Sequence, residues 1–87
     1  MMAAIIVHRH ARKYLERMDG RIKAQLIAKL EALAQDPENA PNVKPMEGEY
    51  AGCLRLRHGD LRVIFQWDRE QDTVVILAIG PRGDIYK

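Results

Sequence analysis

Apolar positions change their spacing along the chain, and each spacing predicts one kind of element. Residues 3–7 are short and rich in β-branched side chains, which predicts a strand. From about residue 10 to 18 the apolar residues recur at i, i+3, i+4 and i+7, as on one face of a helix; they are Ala11, Tyr14, Leu15 and Met18. A second helical repeat runs to Gln35, with Asp19 placed to cap its first turn and Pro37 to stop it. The first half therefore predicts a strand and a helical hairpin.

The second half has the period of strands. Residues 36–52 hold three of the four prolines and two of the six glycines, and predict a loop. Leucines at 54 and 56 then alternate with arginines at 55 and 57, so the two types face opposite sides. Residues 58–60 predict a hairpin turn. In the strand that follows, Arg62, Ile64 and Gln66 share one face, and the other face carries Leu61, Val63, Phe65 and Trp67. Residues 73–79 are apolar on both faces, which predicts a central strand.

The predicted order is β-α-α-β-β-β. Helices that precede an antiparallel meander indicate an α+β fold, in which the N-terminal helical hairpin covers one face of the sheet. The arginines at 55 and 57 would then lie on the other face. Eighty-seven residues predict a single domain spanning 1–87.

Charge and composition narrow the function classes. The net charge is only +2, but residues 1–35 carry seven Lys/Arg against three acidic residues, whereas residues 36–50 carry four acidic residues against Lys44. This asymmetry permits polyanion binding. The single Cys53 excludes an internal disulfide, and the three histidines have no metal-ligand spacing, so we expect neither a metal nor a cofactor. A small core without these supports is expected to gain stability from a partner protein.

No membrane association is expected from the sequence. The apolar run at residues 1–7 is too short for a signal peptide and is interrupted by His8 and Arg9. No other apolar run approaches the length needed to span a bilayer. We therefore expect a cytoplasmic protein.

Two segments resemble a known protein family. Residues 52–68 read Gly-Cys-Leu-Arg-Leu-Arg-His-Gly-Asp-Leu-Arg-Val-Ile-Phe-Gln-Trp-Asp, and this is similar to the signature of RelE/ParE superfamily toxins. Residues 79–87, Ile-Gly-Pro-Arg-Gly-Asp-Ile-Tyr-Lys, resemble the closing segment of the same family. Residues 26–37 resemble the end of its second helix, so the resemblance runs through nearly the whole chain in the family's order.

The resemblance implies the toxin of a type II toxin–antitoxin pair with a RelE-like fold. RelE-like members cleave messenger RNA in the ribosomal A site, and ParE-like members inhibit DNA gyrase. Members of both kinds are neutralised by an antitoxin that wraps the toxin. The implied partners are thus a RelB-like antitoxin in a hetero-oligomer, together with mRNA and the ribosome.

The resemblance also implies roles for individual residues. Arg62 and Arg82 correspond to arginines that stabilise the reacting phosphate, and Tyr86 corresponds to the C-terminal tyrosine that stacks on or deprotonates the substrate. Arg55 corresponds to a basic residue that contacts RNA phosphate. Two positions depart from the family's nucleases, because Cys53 replaces a common lysine and Leu61 a common tyrosine.

The chemistry of RNA cleavage is consistent with these residue types. Attack by the ribose 2′-OH adds negative charge to the phosphate, and guanidinium groups such as those of Arg62 and Arg82 stay charged and donate in bidentate geometry. An unperturbed tyrosine, with a pKa of about 10, is a poor base, but nearby cations lower that pKa. His58 is the reserve acid or base, and with Arg57 a further candidate for RNA binding.

Each residue also has a plainer interpretation. Arginines that alternate with leucines on a strand are most often a solvated face, and a histidine beside a turn glycine is most often a surface residue. Three hypotheses remain: an RNA-cleaving RelE-like toxin, a gyrase inhibitor that acts by binding protein, and a degenerate toxin that only binds its antitoxin. The leading hypothesis is the first, because Arg62, Arg82 and Tyr86 occur together.

Overall fold

The structure, a computed structural model, describes residues 3–81 apart from the side chain of Glu49. Two α-helices and five strands are present in this range. One turn of 3-10 helix, at Gly48–Tyr50, lies between the second and third strands. The helices are α1 (Arg9–Glu16) and α2 (Gly20–Gln35). The strands are β1 (Ala4–Val7), β2 (Val43–Pro45), β3 (Leu54–His58), β4 (Leu61–Asp68) and β5 (Thr73–Pro81). The predicted α+β class and the predicted order of the main elements are confirmed.

The two helices begin where side chains cap them. The Asp19 carboxylate accepts a hydrogen bond of 3.2 Å from the backbone N–H of Arg21, as the sequence predicts for the start of α2. Helix α1 begins at Arg9, one residue before the prediction, because the His8 ring accepts from the backbone N–H of His10 at 3.5 Å. A histidine can therefore take the capping position that serine or aspartate usually holds.

The sheet has the strand order β1-β5-β4-β3-β2. Strands β3, β4 and β5 form the predicted antiparallel pairs, and β2 pairs with β3 in the same way. The predicted antiparallel sheet is wrong for β1, which lies at the edge and pairs with β5 in parallel, with Ile5 opposite Val74. The sheet is therefore mixed. A strand that is separated from the meander by a helical hairpin can return beside it in either direction, and the apolar pattern of β1 does not specify which.

Strand β2 lies inside the segment predicted as a loop. Val43 pairs with Leu56 and packs against the core, while Pro45 pairs with Leu54. Three residues are too few to show strand periodicity in the sequence, and Pro45 is tolerated because β2 is an edge strand. The predicted loop therefore supplies a fifth strand next to β3.

The core lies between the helical hairpin and one face of the sheet. From α2, Leu26, Leu30 and Leu33 are buried there against Val63 and Phe65 of β4. Full burial of each such side chain contributes about 1.5–3 kcal/mol to stability. Strand β5 lies between β1 and β4, in the central position that its two apolar faces predict. Within the described range, no helix is long and apolar enough to cross a membrane.

Candidate nucleic-acid interface

The face of the sheet opposite the helices carries a group of cations. The alternation along β3 and β4 places Leu56 and Val63 toward the helices, and the residues between them on the other side. Cross-strand pairing then brings Arg57 opposite Arg62, and Arg55 opposite Ile64. We call this side of the sheet the open face because the helices do not cover it, although Ile64 on it is fully buried and Arg62 nearly so. The alternation in the sequence predicts it correctly.

Arg62 is buried although it is charged. Only 7% of its surface is exposed, and its Nη1 group donates hydrogen bonds to the carbonyl oxygens of Leu61 at 3.2 Å and Gly59 at 3.4 Å. A guanidinium group has five N–H donors, so two carbonyls bound through one nitrogen leave donors for another acceptor. The hairpin turn therefore holds the head of Arg62 in place without neutralising its charge.

The turn that holds Arg62 has a specific backbone geometry. His58 pairs with Leu61, so the loop has two residues, and Gly59 takes the first turn position with a φ of +60°. This is the glycine position of a type II′ turn, whose twist matches that of the flanking strands. The Gly59 carbonyl is thereby directed to Arg62, which links the turn sequence to the arginine's position.

Within the described part of the sheet, the cross-strand neighbours of the open-face arginines carry no negative charge. The residues flanking Arg57, Arg62 and Arg55 on this face of β4 and β5 are uncharged; they are Ile64, Ala78 and Gly80. In the described part of the chain, leaving the Glu49 side chain aside, the one ion pair is Arg69 with Glu38, which is elsewhere. Like charges directly opposite each other on neighbouring strands are destabilising, so the Arg57–Arg62 pair is an unfavourable arrangement that an anion would relieve.

His58 lies on the other side of the sheet. Its cross-strand partner is Leu61, a core-facing residue, and both line a mainly apolar cavity of about 420 Å³ with Tyr14, Met18 and Ile22. The structure therefore does not bring His58 to the arginines of the open face. The leucine–arginine alternation already contained this information, because His58 has the same parity as Leu54 and Leu56.

Arg82 and Tyr86 lie outside the described residues. Gly80, two residues before Arg82 in the sequence, is the cross-strand partner of Arg62 and is buried. Lys44, the one basic residue of the acidic segment 36–50, pairs with Arg55 from strand β2. The open face thus holds one cation that pattern reasoning missed, because three residues of β2 give no periodic signal.

A metal site is not formed by the described residues. Among residues 3–81, no group of three or more histidine, cysteine or acidic side chains could hold an ion together.

Comparison with known proteins identifies the family. The model of the ParE toxin family, toxins of the type II toxin–antitoxin system parDE, matches residues 5–86. Toxin RelG of Mycobacterium tuberculosis is 35% identical over 78 residues, which cover 88% of this chain and 87% of that protein. The chain is a type II toxin of the RelE/ParE superfamily.

Solved structures show that the toxin has the fold of this superfamily. The toxin–antitoxin complex RelBE2 of Mycobacterium tuberculosis contains a chain that superposes with a TM-score of 0.82 at 29% identity, covering 94% of the toxin and 100% of that chain. The archaeal RelE–RelB complex of Pyrococcus horikoshii gives a TM-score of 0.80 at 25% identity, with 95% and 98% covered. The resemblance inferred from the sequence and its RelE-like fold are confirmed.

The two departures from the nuclease pattern occupy different faces of the toxin. Cys53 is buried, and its Sγ accepts a hydrogen bond of 3.8 Å from Nε2 of Gln66, a residue of the open face. Leu61 is half-buried toward the helices, in the cavity beside His58. Leu61 therefore contributes to packing, whereas Cys53 removes a charge from the border of the open face.

Proposed function

We propose that this toxin is an mRNA interferase that cleaves ribosome-bound mRNA through attack of a ribose 2′-OH. The observation that supports it is the buried Arg62, which lies opposite Arg57 and forms no ion pair with any carboxylate of the described residues. A guanidinium group fixed by the hairpin turn is suited to stabilise charge that develops on a reacting phosphate, whereas binding a protein such as gyrase needs no fixed charge of this kind. In this proposal Arg62, Arg82 and Tyr86 carry the reaction, and Arg55 and Arg57 bind the RNA backbone.

The proposed reaction relies on stabilisation of negative charge by arginine side chains. A base removes the proton of the 2′-OH as the 2′-oxygen attacks the adjacent phosphorus and forms a P–O2′ bond. The P–O5′ bond breaks, and an acid donates a proton to the leaving 5′-oxygen. The products are a 2′,3′-cyclic phosphate and a 5′-hydroxyl. The phosphorane between them carries additional negative charge, which the fixed guanidinium group of Arg62 would stabilise without reorganising.

The proton transfers are assigned to Tyr86 in this proposal. Tyr86 follows Arg82 by four residues, and both follow the strand that pairs with Arg62. Cations close to a tyrosine favour its charged form, which would make Tyr86 a better base. His58, on the helix-facing side of the hairpin, is left without a catalytic part; its predicted contribution to RNA binding would be confined to the end of the hairpin.

The toxin is proposed to act in the cytoplasm in company with a RelB-like antitoxin. Two solved relatives of its fold are toxin–antitoxin complexes, one named for RelB and RelE and one for RelBE2. An acidic segment of the antitoxin laid over the open face would neutralise Arg55, Arg57 and Arg62 and block RNA. Because the antitoxin would bind the folded toxin, the Tm of the toxin should rise in the hetero-oligomer.

Expression in cells tests the proposal directly. We expect wild-type toxin to stop pulse-labelled protein synthesis within minutes, and an Arg82→Ala/Tyr86→Phe double mutant to leave it running. Purified toxin with ribosomes should cleave a bound mRNA, and a single 2′-deoxy substitution at the cleaved position should abolish that cut. Cleavage that persists at the 2′-deoxy position would overturn the mechanism.

A ParE-like inhibitor of DNA gyrase is the second candidate. The matching family model is that of ParE toxins, and Cys53 and Leu61 depart from the nuclease pattern. This alternative predicts that DNA synthesis stops while translation continues, and that the damage response is induced. It also predicts that the Arg82→Ala/Tyr86→Phe double mutant remains as toxic as the wild type.

A further inference from the structure

The open face extends beyond the arginines to the outer edge of the sheet. Strand β2 is the edge strand next to β3, and Lys44 is the cross-strand partner of Arg55. Directly opposed residues point to the same face, so Lys44 joins Arg55, Arg57 and Arg62 there. The four cations lie on three adjacent strands, β2, β3 and β4.

Lys44 repeats the unfavourable arrangement of the neighbouring pair. Lys44 opposite Arg55 is a second pair of directly opposed like charges, in addition to Arg57 opposite Arg62. Over residues 3–81, with the Glu49 side chain left aside, no carboxylate forms an ion pair with either member. A single opposed pair of cations arises by chance on many charged surfaces, whereas two such pairs next to each other on one face are consistent with a bound polyanion.

The backbone holds Lys44 in this position. The N–H of Arg57 donates to the carbonyl of Asn42 at 3.0 Å on one side of Lys44, and the N–H of Met46 donates to the carbonyl of Cys53 at 3.0 Å on the other. Asn42 adopts a φ of +65°, which turns the chain into β2. The lysine is thus carried by a strand whose register is fixed at both ends.

We propose that Lys44 is a phosphate contact, and that the RNA backbone runs from Arg62 across β3 to the edge of the sheet at β2. This inference rests on the proposed function and adds to it the direction of the RNA path. Lys44 lies two strands from Arg62 and is offset from it by two residues along the strand, because Lys44 pairs with Arg55 whereas Arg62 pairs with Arg57. With strands about 4.8 Å apart and a rise of about 3.4 Å per residue, the diagonal from Arg62 to Lys44 spans roughly 12 Å. A single-stranded backbone is the occupant that the charges favour, because the two cation pairs are displaced along this diagonal.

A protective role at the edge is the competing explanation for Lys44. Lysine and proline on an edge strand discourage other strands from pairing with it, and Pro45 stands next to Lys44. That role predicts increased self-association of a Lys44→Ala variant and unchanged binding of RNA. The phosphate contact predicts the reverse.

The salt dependence of RNA binding distinguishes the two explanations. The probe is a fluorescein-labelled, single-stranded 2′-O-methyl RNA of twelve nucleotides, which the toxin cannot cut. Each lost phosphate contact lowers the slope of log K against log salt by about 0.7, which corresponds to roughly eightfold weaker binding at 50 mM salt relative to a 1 M reference. We expect this loss for Lys44→Ala, its rescue in Lys44→Arg, and no change for Lys29→Ala on helix α2.

The Arg55→Ala and Arg62→Ala variants distinguish failure of the proposed RNA path from failure of the proposed RNA-binding function. If both weaken RNA binding while Lys44→Ala has the wild-type slope, the path to β2 is wrong and the proposed function stands. If wild-type toxin does not bind the probe, or if neither arginine variant changes the slope, the RNA-binding face itself is overturned. Equal thermal unfolding of the Lys44→Ala and wild-type proteins establishes that the variant is folded.

Discussion

Two neighbouring residues of strand β4 show how the faces of this sheet differ. Val63 is fully buried toward the helices, and Arg62 is almost as buried on the opposite side. Burial of the valine stabilises the fold, whereas burial of a charged group without an opposite charge opposes it. Most of the buried apolar core lies on the helix-facing side, and Ile64 is a fully buried apolar residue of the open face. Arg62 is the buried charge that the proposed RNA phosphate would stabilise.

The largest expected effect is on the helix-facing side. Phe65 is fully buried in the core, and a Phe65→Ala variant should lose about 3–5 kcal/mol of unfolding free energy, because a cavity remains where the ring was. Chemical denaturation followed by circular dichroism measures this loss. Gln66→Ala, the exposed next residue, is the control and should change the free energy by less than about 0.5 kcal/mol.

The second effect is on activity. Arg62→Gln should reduce the rate of mRNA cleavage on ribosomes by roughly 10²–10³-fold, the usual cost of removing one donor that stabilises transition-state charge. Arg69→Gln is the control, since Arg69 is exposed and paired with Glu38 away from the open face. A wild-type cleavage rate in the Arg62→Gln variant would remove this arginine from the mechanism.

Substitution of Arg57 is expected to raise the unfolding free energy slightly, in contrast to the loss expected for Phe65→Ala. Arg57→Gln removes one member of an opposed pair of like charges, so the unfolding free energy should increase by about 0.2–1 kcal/mol at low salt. The gain should shrink as salt is added, because added ions screen the repulsion. A loss of stability in Arg57→Gln would show that the two arginines do not repel each other in the folded protein.

The smallest effect is predicted for His58. Because His58 faces the cavity near Tyr14 rather than the arginines, His58→Ala should change the cleavage rate by no more than about twofold. A 100-fold loss of cleavage at unchanged Tm would place a catalytic function at the end of the hairpin and contradict the separation of the two faces. The matched control is Tyr14→Phe, which keeps the ring in the same cavity.

The sequence predicted the parts of the toxin that have a clear period or a capping residue. The end of α2 at Gln35, its cap at Asp19 and the opposite faces of Leu56 and Arg55 all follow from local rules. The parallel pairing of β1 and the short strand around Lys44 do not, because both depend on which distant segment lies alongside. The same limit applies to Arg62, whose position on the strand was predictable and whose burial was not.

The opposed cations have a consequence for how such a toxin loses its activity over generations. A substitution that neutralises Arg57 is expected to weaken RNA binding and to leave the protein better folded. Inactive alleles of this kind would escape the quality control that removes unfolded chains, and would keep Arg55 and Arg62, the other open-face arginines that the proposed antitoxin segment covers. A population under selection against the toxin would therefore accumulate inert copies that still titrate antitoxin, rather than losing the protein altogether.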